Sequence, residues 1–128
     1  MKSHSRMFAA AALLLTLALF AGCSDDTSPT NPPAGSTLTF NSGAMPNGRS
    51  FQMTFPTAGT APYVCGIHPG TMFGNSVTVA ATATLDSVVV TIVSLSTPGF
   101  SPSAVTIKPN GYVRWVNADA MTHSVESR

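Results

Sequence analysis

Short runs of β-branched and aromatic residues alternate with turn-forming residues from residue 37 to residue 128. In "SFQMTF", every second residue is large and apolar, which places Phe51, Met53 and Phe55 on one face of a predicted strand. Seven further segments also read as strands: "STLTF", "APYVC", "SVTVA", "SVVVTIVSL", "AVTIKP", "YVRWVN" and "THSVES". No segment has a helical period. Eight short strands in about 92 residues predict an all-β protein, a small antiparallel β-sandwich of Greek-key type.

The first 22 residues have a different pattern: two basic residues, an apolar run and then small residues. This pattern predicts an export signal, and the apolar run is too short for a permanent membrane span. The ending "FAGC" resembles the lipobox of bacterial lipoproteins, which implies cleavage before Cys23 and lipidation of that residue. The protein is then expected in the periplasm or cell envelope, anchored to a membrane, and Ser24 favours the outer membrane in a Gram-negative host. The alternative is an ordinary secretory signal with Cys23 as a spare thiol.

Residues 23–36 are polar and rich in Pro, Ser and Thr, which predicts a flexible tether before a single domain at 37–128. Beyond the predicted signal the chain has four Lys or Arg and five Asp or Glu, a formal charge of −1. This composition offers no basic patch, so nucleic acid is not an expected partner. A docking surface on this domain is expected to be apolar.

Three side chains that commonly bind metals fall within eight residues, as Cys65, His68 and Met72 in the spacing C-x2-H-x3-M. Beyond the predicted signal the only other histidine is His123. Taken singly, such residues are more often core filler or hydrogen-bonding groups. Together they favour a metal site, because two imidazoles, a thiolate and a weak thioether form a blue-copper ligand set, whereas structural zinc more often takes additional cysteines.

Two longer motifs resemble one known family. "GTAPYVCGIHPGTMFGNSVTV" resembles the C-terminal end of the cupredoxins, the small blue copper proteins, and "FSPSAVTIKPNGYVRWVNADAMTHSV" resembles their N-terminal half. The resemblance implies a cupredoxin-like sandwich that holds one type 1 copper ion through His123, Cys65, His68 and Met72. It also implies single-electron transfer between redox proteins of the envelope, without enzymatic activity.

Two positions depart from the family pattern. The H-x3-M spacing falls between the family's shorter and longer loops, so Thr71 or a more open copper site are alternatives to Met72 as axial ligand. Ser124 follows His123 where many members have Asn, and its hydroxyl is expected to tie the two ligand loops together less well.

The two motifs stand in the reverse of the family order. Residues 37–79 correspond to the family's C-terminal half, 87–128 to its N-terminal half, and 80–86 connects them. We predict a circularly permuted single domain, because halves of 43 and 42 residues are too short to fold alone. A monomer is therefore expected; a swapped dimer and two truncated tandem domains are the alternatives.

The surface through which electrons pass is predicted at His68 and Pro69. Neutral residues are expected around it: Met45, Pro69, Phe73, Ala120 and Met121. Copper storage, delivery or sensing without electron transfer would use the same ligands, and a metal-free adhesion or scaffold sandwich would leave them incidental. A copper enzyme is disfavoured because the sequence has no second histidine cluster.

Overall fold

Eight strands and no helix make up the part of the chain that the computed structural model describes, residues 38–128. The strands are β1 (Ser50–Phe55), β2 (Gly59–Val64), β3 (Asn75–Val79), β4 (Ser87–Ile92), β5 (Phe100–Ser101), β6 (Ala104–Ile107), β7 (Gly111–Asn117) and β8 (Glu126–Ser127). No helix in this range could therefore cross a membrane. The predicted signal, the tether and Cys23 lie outside the described residues.

The strands form two four-stranded sheets, which confirms the predicted all-β sandwich. One sheet has the order β1-β7-β4-β5 and the other β6-β3-β2-β8. Two of the strand pairs, β4 with β7 and β3 with β6, are parallel. The sheets are therefore mixed, and the prediction that the sandwich is antiparallel was wrong for these two pairs. Between β3 and β6 the chain forms β4 and β5 of the other sheet, and between β4 and β7 it forms β5 and then β6 of the other sheet. Both connections are long crossovers of the kind that parallel neighbours need.

Alternation along β1 and β7 builds the centre of the core. The two strands are antiparallel, with Phe51 opposite Trp115 and Met53 opposite Val113. The Trp115 side chain is fully buried, and its ring lies 5.5 Å from that of Tyr63 across the sandwich. Because successive side chains of a strand point to opposite faces, the alternation in these sequences is sufficient to specify which face is buried.

Three predicted strands differ in extent from those observed, and in one of them, "THSVES", only Glu126 and Ser127 form a regular strand. "STLTF" forms no regular strand within the described residues. The residue that follows it, Asn41, makes a single bridge to Glu126. "SVVVTIVSL" stops being a strand at Ile92, because the chain turns there and the Val93 amide donates to the Gly99 carbonyl. This turn leads into β5, a strand of two residues that is too short to give a periodic signal.

The segment 40–45 runs antiparallel to the segment 123–127 and closes one side of the sandwich. The Met45 amide donates to the His123 carbonyl at 2.7 Å, and the Ser127 amide donates to the Phe40 carbonyl at 3.0 Å. On its other side, β8 pairs with β2. The strand that leads into Cys65 is thereby placed beside the segment that carries His123.

Candidate metal site

Cys65 follows directly after β2, at the start of a tightly folded loop that also contains His68 and Met72. The His68 amide donates to the Cys65 carbonyl at 3.1 Å, and the His68 carbonyl accepts from the Met72 amide at 2.9 Å. The Cys65 amide in turn donates to the Met72 carbonyl at 3.0 Å. These bonds fold the loop back on itself, so that Cys65 and Met72 are held side by side.

His123 belongs to a second loop, between β7 and β8, which Asn117 braces from inside. The Asn117 side chain is fully buried, and its amide group donates to the carbonyls of Met45 and Met121, each at 2.7 Å. A second brace is the pair of backbone hydrogen bonds between Met45 and His123. The backbone of His123 is thus held directly by Met45, whose own position is fixed by Asn117.

The two loops bring Cys65, His68 and His123 together as a candidate metal-binding triad. The Cys65 Sγ lies 3.6 Å from Nδ1 of His68 and 3.8 Å from Nδ1 of His123. All three potential ligand atoms lie within 4.8 Å of one another. Bonds from zinc to sulfur and to imidazole nitrogen are about 2.3 and 2.0–2.1 Å, so a single ion of this kind can reach each sulfur–nitrogen pair.

The triad is closed to solvent on all but one side. Cys65 and His123 are each 0% exposed, whereas His68 is half-buried. Cys65 forms no disulfide. A fully buried cysteine beside two imidazoles is protected from other thiols, and its sulfur remains available as a metal ligand.

Met72 is fully buried in the loop with Cys65 and His68. Its methyl carbon lies against Gly99, where a Cβ atom would be only 2.6 Å away. Its role as axial ligand stays a prediction, as does the alternative role of the exposed Thr71.

Asp119 is a member of the site that the sequence analysis missed. Its Oδ2 lies 2.8 Å from Nε2 of His123, the ring nitrogen that faces away from Cys65. The hydrogen bond with His123 lowers the pKa of the Asp119 carboxyl below its usual value. The sequence signal is a D-x3-H spacing, which by itself is too common in loops to single out.

Ser124 connects the two ligand loops directly. Its amide donates to the Cys65 Sγ at 3.4 Å, and its hydroxyl oxygen accepts from the Ile67 amide at 3.3 Å. The Ser124 hydroxyl therefore reaches the loop of Cys65. That it ties the loops less well than an Asn side chain stays a prediction.

The exposed side chains of the two ligand loops are largely apolar. Pro69 and Ala120 are exposed, and Ile67, Phe73 and Met121 expose 46%, 44% and 44% of their surface. Met45 was expected among these surface residues and that prediction was wrong, because its pairing with His123 buries it to 2% exposure. Ile67, which was not predicted, contributes instead.

Comparisons with protein-family models, with curated proteins and with solved structures give no match to this chain. The fold and the site therefore define the protein only at a coarse level: a small β-sandwich with a candidate metal site made of one cysteine and two histidines.

Proposed function

We propose that this protein is a type 1 copper protein that carries single electrons between redox partners in the cell envelope. The observation that carries the proposal is the buried cysteine sulfur held 3.6 and 3.8 Å from two imidazole Nδ1 atoms. Soft sulfur combined with two imidazoles suits copper in both oxidation states. The resemblance of the two ligand motifs to cupredoxins supports the same assignment.

The residues around the triad would provide a rigid and dry site for the ion. Cys65 would be the thiolate ligand and His68 and His123 the nitrogen ligands, with Met72 as a weak axial ligand. Bound copper would supply a one-electron couple between Cu(I) and Cu(II). The backbone hydrogen bonds of both loops hold the ligands in place, and this restricts how far they can move when the charge of the site changes.

Electron exchange would occur at the half-buried His68 and the exposed Pro69. His68 is the only ligand of the triad with solvent access, whereas His123 and Cys65 are 0% exposed. The apolar side chains of Ile67 and Phe73 lie on the same loop and would favour a neutral docking surface.

The cellular setting of this proposal comes from the sequence. A lipidated Cys23 would hold the domain at a membrane of the envelope, and residues 23–36 would set its reach toward redox partners. The circular permutation belongs to the same proposal. It would explain why the loop with Cys65 and His68 precedes the motif that ends at His123, in the reverse of the cupredoxin order.

Addition of Cu(II) to the purified protein tests the function. We expect an intense visible absorption that disappears in Cys65→Ser and persists in the control Asp86→Asn, whose side chain is exposed and pairs with Lys108. Reversible one-electron voltammetry of the coloured protein is also expected. Absence of both bound copper and visible absorption would refute the proposal. Tight Cu(I) binding without a coloured Cu(II) form would favour copper storage or delivery.

A further inference from the structure

The two ring nitrogens of His123 have different surroundings. Nδ1 faces the Cys65 Sγ at 3.8 Å, and Nε2 lies 2.8 Å from Oδ2 of Asp119. The His123 side chain is 0% exposed, so solvent water does not compete for hydrogen bonds with either ring nitrogen. The carboxylate is therefore the hydrogen-bond partner that decides how the ring is protonated and oriented.

An ionised carboxylate can only accept hydrogen bonds, and Asp is ionised at neutral pH. The neutral imidazole must then carry its proton on Nε2, which leaves the lone pair of Nδ1 directed toward Cys65. We propose that Asp119 is a positioning residue of the metal site, which holds His123 in the Nε2–H tautomer with Nδ1 free to bind the ion. This inference rests on the proposed metal-binding function.

Asp119 is itself held in place by the loop. The Asp119 amide donates to Oδ1 of Asn117 at 3.0 Å, and the Ala120 amide donates to Oδ1 of the Asp119 carboxylate at 2.7 Å. Each carboxylate oxygen therefore has its own partner, one in the backbone and one in His123. The Asp119 side chain is 20% exposed, so part of its charge remains solvated and the cost of placing it there is small.

The two histidines of the triad differ in this respect. Within residues 38–128, no carboxylate contacts the ring of His68. A carboxylate on the distal nitrogen makes an imidazole a more basic ligand and fixes its orientation, and loss of such a partner typically lowers metal affinity about 10–100-fold. We therefore expect the buried His123 to be the more strongly anchored ligand.

The first test uses the metal-free protein and the ¹⁵N chemical shifts of the His123 ring. The wild-type ring is expected to show a protonated Nε2 and an unprotonated Nδ1. In Asp119→Ala this preference should weaken, whereas Asp86→Asn, which also removes one carboxylate, should leave it unchanged. In Asp119→Asn the amide oxygen can still accept from Nε2, so the tautomer should persist.

The second test measures the affinity for Co(II), a metal probe that is not expected to change its oxidation state when it binds. Asp119→Ala is expected to bind about 10–100-fold more weakly than wild type, with Asp119→Asn in between and Asp86→Asn equal to wild type. Unchanged tautomer and affinities within about twofold of wild type in Asp119→Ala would overturn the positioning role.

Near-UV circular dichroism of the buried Trp115 establishes whether each variant is folded. If Asp119→Ala does not fold, Asp119→Leu, which has a similar shape and also cannot accept from Nε2, decides the question, and an unchanged tautomer with an unweakened Co(II) affinity in that variant overturns the proposal. If the wild-type protein binds no Co(II) and no copper, the proposed function fails. The tautomer measurement would still separate that result from a failure of the Asp119–His123 contact.

Discussion

Gly99 shows how closely a single residue constrains the surroundings of the metal site. Its φ angle is +76°, a conformation that side chains other than Gly rarely adopt. A Cβ atom here would lie 2.6 Å from the methyl carbon of Met72 and 2.8 Å from the Ser96 carbonyl oxygen. The backbone oxygen cannot move aside easily, so both conformation and space require glycine.

We predict that Gly99→Ala lowers the free energy of unfolding by about 2–4 kcal/mol, as the sum of left-handed backbone strain and overpacking. Urea unfolding of the two proteins measures this difference. Gly43→Ala is the matched control, because Gly43 has φ +64° but a Cβ atom added there would meet nothing within 4 Å. The control should lose only about 1–2 kcal/mol. Equal losses in both variants would show that contact with Met72 and the carbonyls is unimportant.

Tyr63 gives a pH-dependent prediction at the same scale. Burial raises the pKa of Tyr63 from 10.0 to about 12. Between these two pH values the unfolded chain loses the phenol proton and the folded chain keeps it. The contribution of this proton to stability is therefore fully present below pH 10, and the free energy of unfolding should fall by about 3 kcal/mol in all as the pH rises through 12.

Comparison of the unfolding free energy of wild type and Tyr63→Phe across this pH range isolates the effect. The decline should be smaller in Tyr63→Phe by the amount given above and unchanged in the control Tyr112→Phe, whose ring is 38% exposed. Parallel curves for wild type and Tyr63→Phe would contradict the prediction.

The three triad residues could be predicted from the sequence because histidine and cysteine are so scarce in this domain that their clustering is informative. Asp119 could not be predicted, because its role depends on the direction in which the His123 ring points. Met45 was misplaced for a related reason, since its burial depends on a backbone pairing between segments 78 residues apart in the chain.

At the scale of elements, the segment 123–127 holds the candidate site together. It lies between the segment 40–45 and β2, through hydrogen bonds such as that from the Ser42 amide to the Val125 carbonyl at 2.9 Å. Alternating residues were sufficient to predict the long strands β1 and β7. They did not predict β5 or the bridges of the segment 40–45, because elements of one or two residues are specified by tertiary pairing.

Hydrogen exchange tests how this segment depends on the metal. We expect the amides of residues 121–127 to be better protected with copper bound than without, since a bound ion would link His123 to Cys65 and His68. The amides of β7 serve as an internal control and should change little, because they pair within the sheet on both sides. Equal protection of residues 121–127 in both forms would contradict this expectation.

At the scale of the whole molecule, the three candidate ligands come together within one chain. Their ligand atoms lie within 4.8 Å of one another even though Cys65 and His123 are distant in sequence. The structure also places Phe40 beside Ser127, joined by a hydrogen bond of 2.8 Å from the Phe40 amide to the Ser127 hydroxyl. This proximity supports the proposed permutation, in which residues near these two positions would be continuous in an unpermuted chain.

We predict that the metal-loaded protein is a monomer with one ion per chain. Sedimentation equilibrium combined with metal analysis would measure both quantities. A dimer that separates into monomers and releases its metal on dilution would instead support the swapped-dimer alternative, in which two chains exchange halves.

X-ray absorption of the copper-loaded protein tests the central claim most directly, because it reports which atoms surround the ion. The account predicts one sulfur at a short distance and two imidazole nitrogens, with loss of the short sulfur in Cys65→Ser. A wild-type spectrum with only oxygen and nitrogen neighbours, or one that Cys65→Ser leaves unchanged, would contradict the assignment of Cys65, His68 and His123 as the copper ligands.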